Sequence, residues 1–155
     1  MSDAQLASGT KIYKGSAAPA TYDKAGYEAL TWKELGEVQD ISGGIGAMHS
    51  VVPFNSLSSR GTVKRLGQYD NGEPVVTYAY SRGDAGQEDI KAVVGSNTPS
   101  AFRIVATDVD DTHIYFMAVV PGAPITIGGG DDYIMCAVTL AIDEVSDVLE
   151  EDAPA

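Results

Sequence analysis

The chain has 155 residues, 44% of them hydrophobic, with a formal net charge of −12. This describes one globular domain able to bury a core. No run approaches the roughly 18 apolar residues of a membrane-spanning helix, so membrane insertion is not expected, and the single Cys136 excludes an internal disulfide or a thiolate cluster. The acidic balance argues against ordinary nucleic-acid binding, which needs Lys and Arg to displace phosphate counterions.

Met1 to Thr10 reads as a loose arm, with neither a basic start nor an apolar signal segment, which favours synthesis in the cytoplasm. Lys11 to Lys14 reads as a short strand, and Gly15 to Gly26 as a loop rich in small residues. Glu28 to Val38 is expected to be a strand with Leu30, Trp32 and either Leu35 or Val38 inward. Next comes a glycine loop, Asp40-Ile41-Ser42-Gly43-Gly44-Ile45-Gly46. His49 to Leu57 is β-like, but Pro53 demotes it to an edge strand or a loop.

Gly61 to Gln68 and Glu73 to Tyr80 both read as strands, and the Asn71-Gly72 pair between them predicts a hairpin. Asp84 to Val94 is the one clear helix. Asp84 caps it, Gln87 stands at the capping-box position, Gly95 ends it, and Ile90, Val93 and Val94 form its apolar stripe. Ser100 to Val109 alternates with Phe102, Ile104 and Ala106 on one face, and Asp108 to Asp111 makes the next turn. Thr112 to Val120 is apolar on both faces and therefore central. Asp132 to Asp143 reads as a long central strand with Ile134, Cys136, Val138, Leu140 and Ile142 on one face. From Asp143 the chain carries six acids and no base to its end, and disorder is expected beyond about Asp147. The fold class is mainly β: an antiparallel sandwich or barrel with one flanking helix. Residues 11–146 form its single domain, between an arm (1–10) and an acidic tail (147–155).

Candidate chemistry is thin. Gly43, Gly44 and Gly46 lack the G-x-G-x-x-G spacing, and the segment from Ala47 to Phe54 is β-like rather than the helix whose N-terminus would meet a phosphate. The loop therefore reads as a hinge or sharp turn. Asp131 and Asp132 come directly after the run Gly128 to Gly130 but lack the spacing of a calcium loop, so a hairpin is expected there. His49, His113 and Cys136 have no short-range zinc spacing, and no G-x-S-x-G elbow supports a nucleophile. Neither cofactor nor metal is expected. Arg60, Lys64 and Arg65 gather three of the ten basic residues within six positions. They form either a solvated strand face or an interface patch meeting acids of another copy.

The stretch YDKAGYEALTWKELGEVQD, Tyr22 to Asp40, resembles the tail tube proteins of long, non-contractile-tailed bacteriophages. The similarity continues through Arg60 to Leu66, Asp84-Ala85-Gly86-Gln87 and Thr98 to Arg103, in the expected order. The resemblance implies a β-sandwich flanked by a helix, assembled into rings of six that stack into a hollow tube. Phage DNA would pass through that tube without specific binding. It implies no catalytic residues, a place in the virion after assembly in the host cytoplasm, and tape measure, terminator and tail tip proteins as partners. In such proteins an early loop reaches the neighbouring ring. Here that expectation falls on Asp40 to Leu57, with Gly43, Gly44 and Gly46 as hinge and Val51, Val52 and Phe54 as contact residues, mobile in the monomer and ordered on stacking. Deleting Gly43 to Gly46 is expected to leave a folded monomer that makes no tubes. The competing readings are a ring protein of type VI secretion and a sandwich module binding carbohydrate or a receptor through tyrosines and Trp32.

Overall fold

The computed structural model describes residues 6–107, 111–145 and 147–152. Along the chain run β1 (Lys11–Gly15), α1 (Lys24–Glu28), β2 (Trp32–Glu34), β3 (Val38–Ser42), β4 (Met48–Asn55), β5 (Thr62–Asp70) and β6 (Val75–Ala79). The second half contains α2 (Ala85–Ala92), β7 (Ser100–Val105), β8 (His113–Val119), β9 (Ile125–Thr126), β10 (Met135–Thr139), β11 (Ala141–Ile142) and β12 (Leu149–Glu151). Every pairing between these strands is antiparallel.

Two sheets enclose the core. The first runs β11-β8-β7-β1-β2, with β12 also on β8; the second runs β3-β6-β10-β9. Ile12, Phe102, Ile104, Phe116 and Ala118 of the first sheet meet Val76, Tyr78, Cys136 and Val138 of the second in one apolar cluster. Strand alternation puts the chain neighbours of these residues on the outer faces. On the first sheet that outer face is also covered, because Tyr27 of α1 packs with Ala101, Tyr115 and Met117. The Tyr27 and Tyr115 rings stack at 5.0 Å. This is why β8 is apolar on both sides.

Each helix opens on an aspartate. Asp23 Oδ1 accepts the Gly26 N–H at 2.8 Å, and Asp84 Oδ2 accepts that of Gln87 at 3.0 Å. Each then needs a glycine. A Cβ on Gly26 would run into Thr21 O, and one on Gly86 into Glu34 O.

Several expectations are corrected. Glu28 to Val38 is not one strand: its start closes α1, a five-residue second helix, and Leu30, Trp32 and Leu35 then lead through β2 towards β3. Leu35 is buried, while Trp32 lies half-buried over the outer face. Trp32 keeps its strand, while ahead of it the Asp23 cap and the burial of Tyr27 hold Lys24–Glu28 in a helix. The strands flanking Asn71-Gly72 do not form a hairpin. β5 pairs with β4, and β6 lies between β3 and β10. The turn itself exists: Asp70 Oδ1 accepts the Gly72 N–H at 2.9 Å, and Gly72 takes φ +104°. It redirects the chain into the second sheet, where Val76 and Tyr78 are fully buried. The long last strand breaks at Leu140, with Met135–Thr139 on the second sheet and Ala141–Ile142 on the first. Ile134 is exposed rather than inward.

The tail differs as well. Beyond Asp147, Leu149–Glu151 forms β12 along β8, pairing Leu149 with Tyr115 and Glu151 with His113. Leu149 packs onto the Tyr27–Tyr115 cluster, which gives this acidic segment an apolar anchor. At the other end Thr107 Oγ1 donates to Ser8 O at 2.8 Å, so the described end of the arm touches the body. Asp108 and Val109, and with them most of the expected turn, lie outside the described residues.

Candidate functional site

β4 and β5 form a two-stranded sheet of their own. Along β4 every residue is exposed, and along β5 every residue but Gly67. The register runs from Met48 opposite Asp70 to Asn55 opposite Thr62, with a shift between His49 and Val51. Directly paired residues share a face. One face therefore carries Val51, Leu66, Tyr69 and Pro53, and the other Met48, Val52, Phe54 and Val63. Phe54 is 66% exposed, and Leu57 in the turn fully so. A ribbon apolar on one face would lie on its own body. One apolar on both faces and wet on both has its natural cover elsewhere. Pro53 is tolerated because β4 has a free edge, as the sequence indicates.

Of the expected contact residues, Val51, Val52 and Phe54 all stand on this ribbon. The expected Asp40 to Leu57 loop is thus divided. Asp40 belongs to β3, opposite Thr77. Gly43, Gly44 and Gly46 form the root between β3 and β4, and the rest is mostly strand. The root is ordered by contacts: Gly43 takes φ +90° against Pro74, and Gly46 N donates to Asn71 O at 2.9 Å. Since β4 rather than a helix comes next, the glycines present no helix N-terminus to a phosphate. An open groove of about 560 Å³ lies at this root, between Met48–Ser50, Gln68–Asn71 and Ile142.

The basic residues share the ribbon but not a face. Lys64 lies with Val51 and Leu66, Arg65 with Val52 and Phe54, and Arg60 is in the turn. Among the described residues the ion pairs are Lys24–Glu28 and Lys33–Asp89, so none of the three has a carboxylate within 4.0 Å. The sequence reading missed Leu66, Tyr69 and Val63 as part of the same surface. They stand three apart along β5, so period-two alternation does not gather them, and the strand's partner was misassigned.

The candidate metal ligands are not gathered. His49 is on the ribbon with its ring 5.3 Å from that of Tyr69. His113 is buried on the outer face of the first sheet, with Nδ1 3.1 Å from Tyr115 Oη. Cys136 is buried in β10, donating to Ala123 O at 3.4 Å. Burial, and secondarily the Arg103 guanidinium, holds the His113 imidazole below its ordinary range. Asp132 Oδ2 accepts the Gly129 N–H at 2.9 Å, closing the second glycine run as a turn. Trp32 does not offer a free stacking platform: its Nε1 donates to Tyr27 O at 3.1 Å, and Arg103 lies 5.0 Å from its ring centre.

No protein-family model matches the chain, and no curated protein matches it either. Solved structures do. A chain of the SPP1 tail tube is 16% identical with a TM-score of 0.68, covering 98% of this chain and 81% of that one. A chain of an extracellular contractile injection system, from its sheath/tube terminator structure, is 11% identical with a TM-score of 0.69, covering 97% and 99%. A chain from the tail of a gene transfer agent particle, refined with C6 symmetry, is 10% identical with a TM-score of 0.65, covering 97% and 100%. The chain thus shares, over nearly its whole length, the fold found in phage-type tails and tube-bearing injection systems.

Proposed function

We propose that this protein is a structural tube subunit, assembling with itself into stacked rings of six that form the hollow tail tube of a non-contractile phage particle. The observation that carries this reading is the β4–β5 ribbon, apolar on both faces and uncovered on both. The likeness to the SPP1 tail tube, and to a gene transfer agent tail with C6 symmetry, supports it. In an assembly the ribbon lies between copies, Val51, Val52 and Phe54 make the contact, and Gly43, Gly44 and Gly46 set its angle to the body. Arg60, Lys64 and Arg65 then meet acids of a neighbouring copy. The role is structural rather than enzymatic and places the protein in the virion after assembly in the host cytoplasm. The net charge of −12 suits a conduit that repels passing DNA instead of holding it. Tape measure, terminator and tip proteins are the partners such a tube requires.

Negative-stain electron microscopy of the purified protein, fresh and concentrated, tests the reading. Hollow tubes of uniform diameter are expected. Amorphous aggregates together with a persistent monomer in sedimentation would count against it. A second reading, the inner tube of a contractile injection system, is favoured by the equally good match to the chain from that assembly. A sheath protein that co-assembles on the tubes would select it.

A further inference from the structure

Among the described residues outside the ribbon, exposed large apolar side chains are scattered, with one exception. Ile125, Ile127, Tyr133 and Ile134 all stand in solvent within ten positions, Tyr133 at 82% exposure and Ile127 at 62%. This segment is β9 and the loop into β10, at one edge of the second sheet. Its turn, Gly128 to Asp132, is shaped by φ +78° at Gly128 and by the bond from Gly129 N to Asp132 Oδ2. It carries Asp131 and Asp132 and no base. The ribbon is its complement in both respects. It is the other apolar cluster, and residues 48–70 carry Arg60, Lys64 and Arg65 against Asp70 alone.

We propose that the Ile125–Ile134 segment of one copy is the seat for the β4–β5 ribbon of a second copy, whose Val51–Leu66 face docks there with Lys64 meeting Asp131 and Asp132. The inference rests on the tube reading and deepens it by naming the receiving surface. Apolar contact supplies the association, and the opposite charges set register and suppress wrong pairings. Because two different surfaces of one chain meet, the contact is head-to-tail. Repetition of such a contact closes into a ring or runs on as a filament rather than stopping at a dimer.

Charge exchange tests it. Asp131→Lys with Asp132→Lys, and separately Lys64→Glu, are each expected to lower the sedimenting polymer by about tenfold or more, with circular dichroism unchanged. Combining all three restores polymer. If the Asp131/Asp132 variant polymerises like the parent while Phe54→Ser does not, the seat lies elsewhere and this inference falls with the tube reading intact. If Phe54→Ser polymerises as well, the ribbon reading falls too. Should the parent remain monomeric, a carbodiimide that joins amines to carboxylates is applied to a mixture of ¹⁵N-labelled and unlabelled protein. A mixed-isotope link from Lys64 to Asp131 or Asp132 supports the seat. Links between copies that bypass these residues, or no such link, overturn it.

Discussion

Gln87 is fully buried and polar, and both polar atoms of its side chain are used. Oε1 accepts the Ser81 N–H at 2.8 Å, and Nε2 donates to Ala79 O at 3.0 Å and Gly36 O at 3.2 Å. The sequence marked it as a capping-box residue. Instead of reaching back to Asp84 N, the side chain ties α2 to the end of β6 and the link between β2 and β3. Truncation strands three backbone groups away from water, each worth about 1–3 kcal/mol if it stays unpaired. Gln87→Ala should therefore cost about 2–4 kcal/mol in urea unfolding, the range allowing for water entry.

His113 gives a pH prediction. Its imidazole is held below the ordinary 6.5, first by burial, then by Arg103; Asp111 and Glu28 oppose the shift, and Lys24 adds to it. The unfolded chain thus takes up the proton first as pH falls. The stability due to the neutral buried ring is present above pH 6.5 and is lost between there and the lowered folded value. The melting temperature of the parent should fall more steeply below about pH 6.5 than that of His113→Gln. Equal slopes would show that the ring does not contribute.

At the scale of elements, exposure and function separate on the ribbon. Val52 and Phe54 face solvent in the single subunit, so replacing both with Ser should change unfolding free energy by no more than about 0.5 kcal/mol for each site. The same variant should lose ring and tube formation, read by microscopy beside the melt. Deleting Gly43 to Gly46 should also abolish tubes, because it removes the bond from Gly46 N to Asn71 O at the root. The tail behaves in the opposite way. Removing residues 147–155 takes away Leu149 and uncovers part of β8, so the truncated protein should lose about 1 kcal/mol, the scale of half-burying a leucine. A tail acting only as a charged brake would leave stability unchanged and speed assembly at low salt.

For the whole molecule, charge and shape point the same way. With a net charge of −12, fluorescence anisotropy against a duplex at about 0.15 M salt should show affinity weaker than about 10⁻⁴ M, the weak end of non-specific binding. The sandwich itself is complete within one chain. Among the described residues, the exposed apolar clusters are the ribbon and the Ile125–Ile134 segment.

The sequence by itself determined what depends on near neighbours. Asp84 opens α2, which stops at Ala92 with Val93 as its C-cap, short of the expected Gly95; the alternation of Phe102 and Ile104 marks an inward face, and the two-sided apolarity of β8 marks a central strand. The ordered resemblance through Tyr22 to Asp40 and onward also carried the fold class, which the solved structures share. Tertiary structure alone decided who pairs with whom. Asn71-Gly72 makes a turn in either topology. Whether β5 then meets β6 or β4 depends on contacts distant in sequence: β10 claims β6 through Val138 and Cys136, leaving β5 to β4. Alternation tells which residues share a face but not what that face meets. Val51, Val52 and Phe54 were expected as contact residues from the resemblance, and only the pairing with Leu66, Tyr69 and Val63 shows them on a ribbon with two apolar faces.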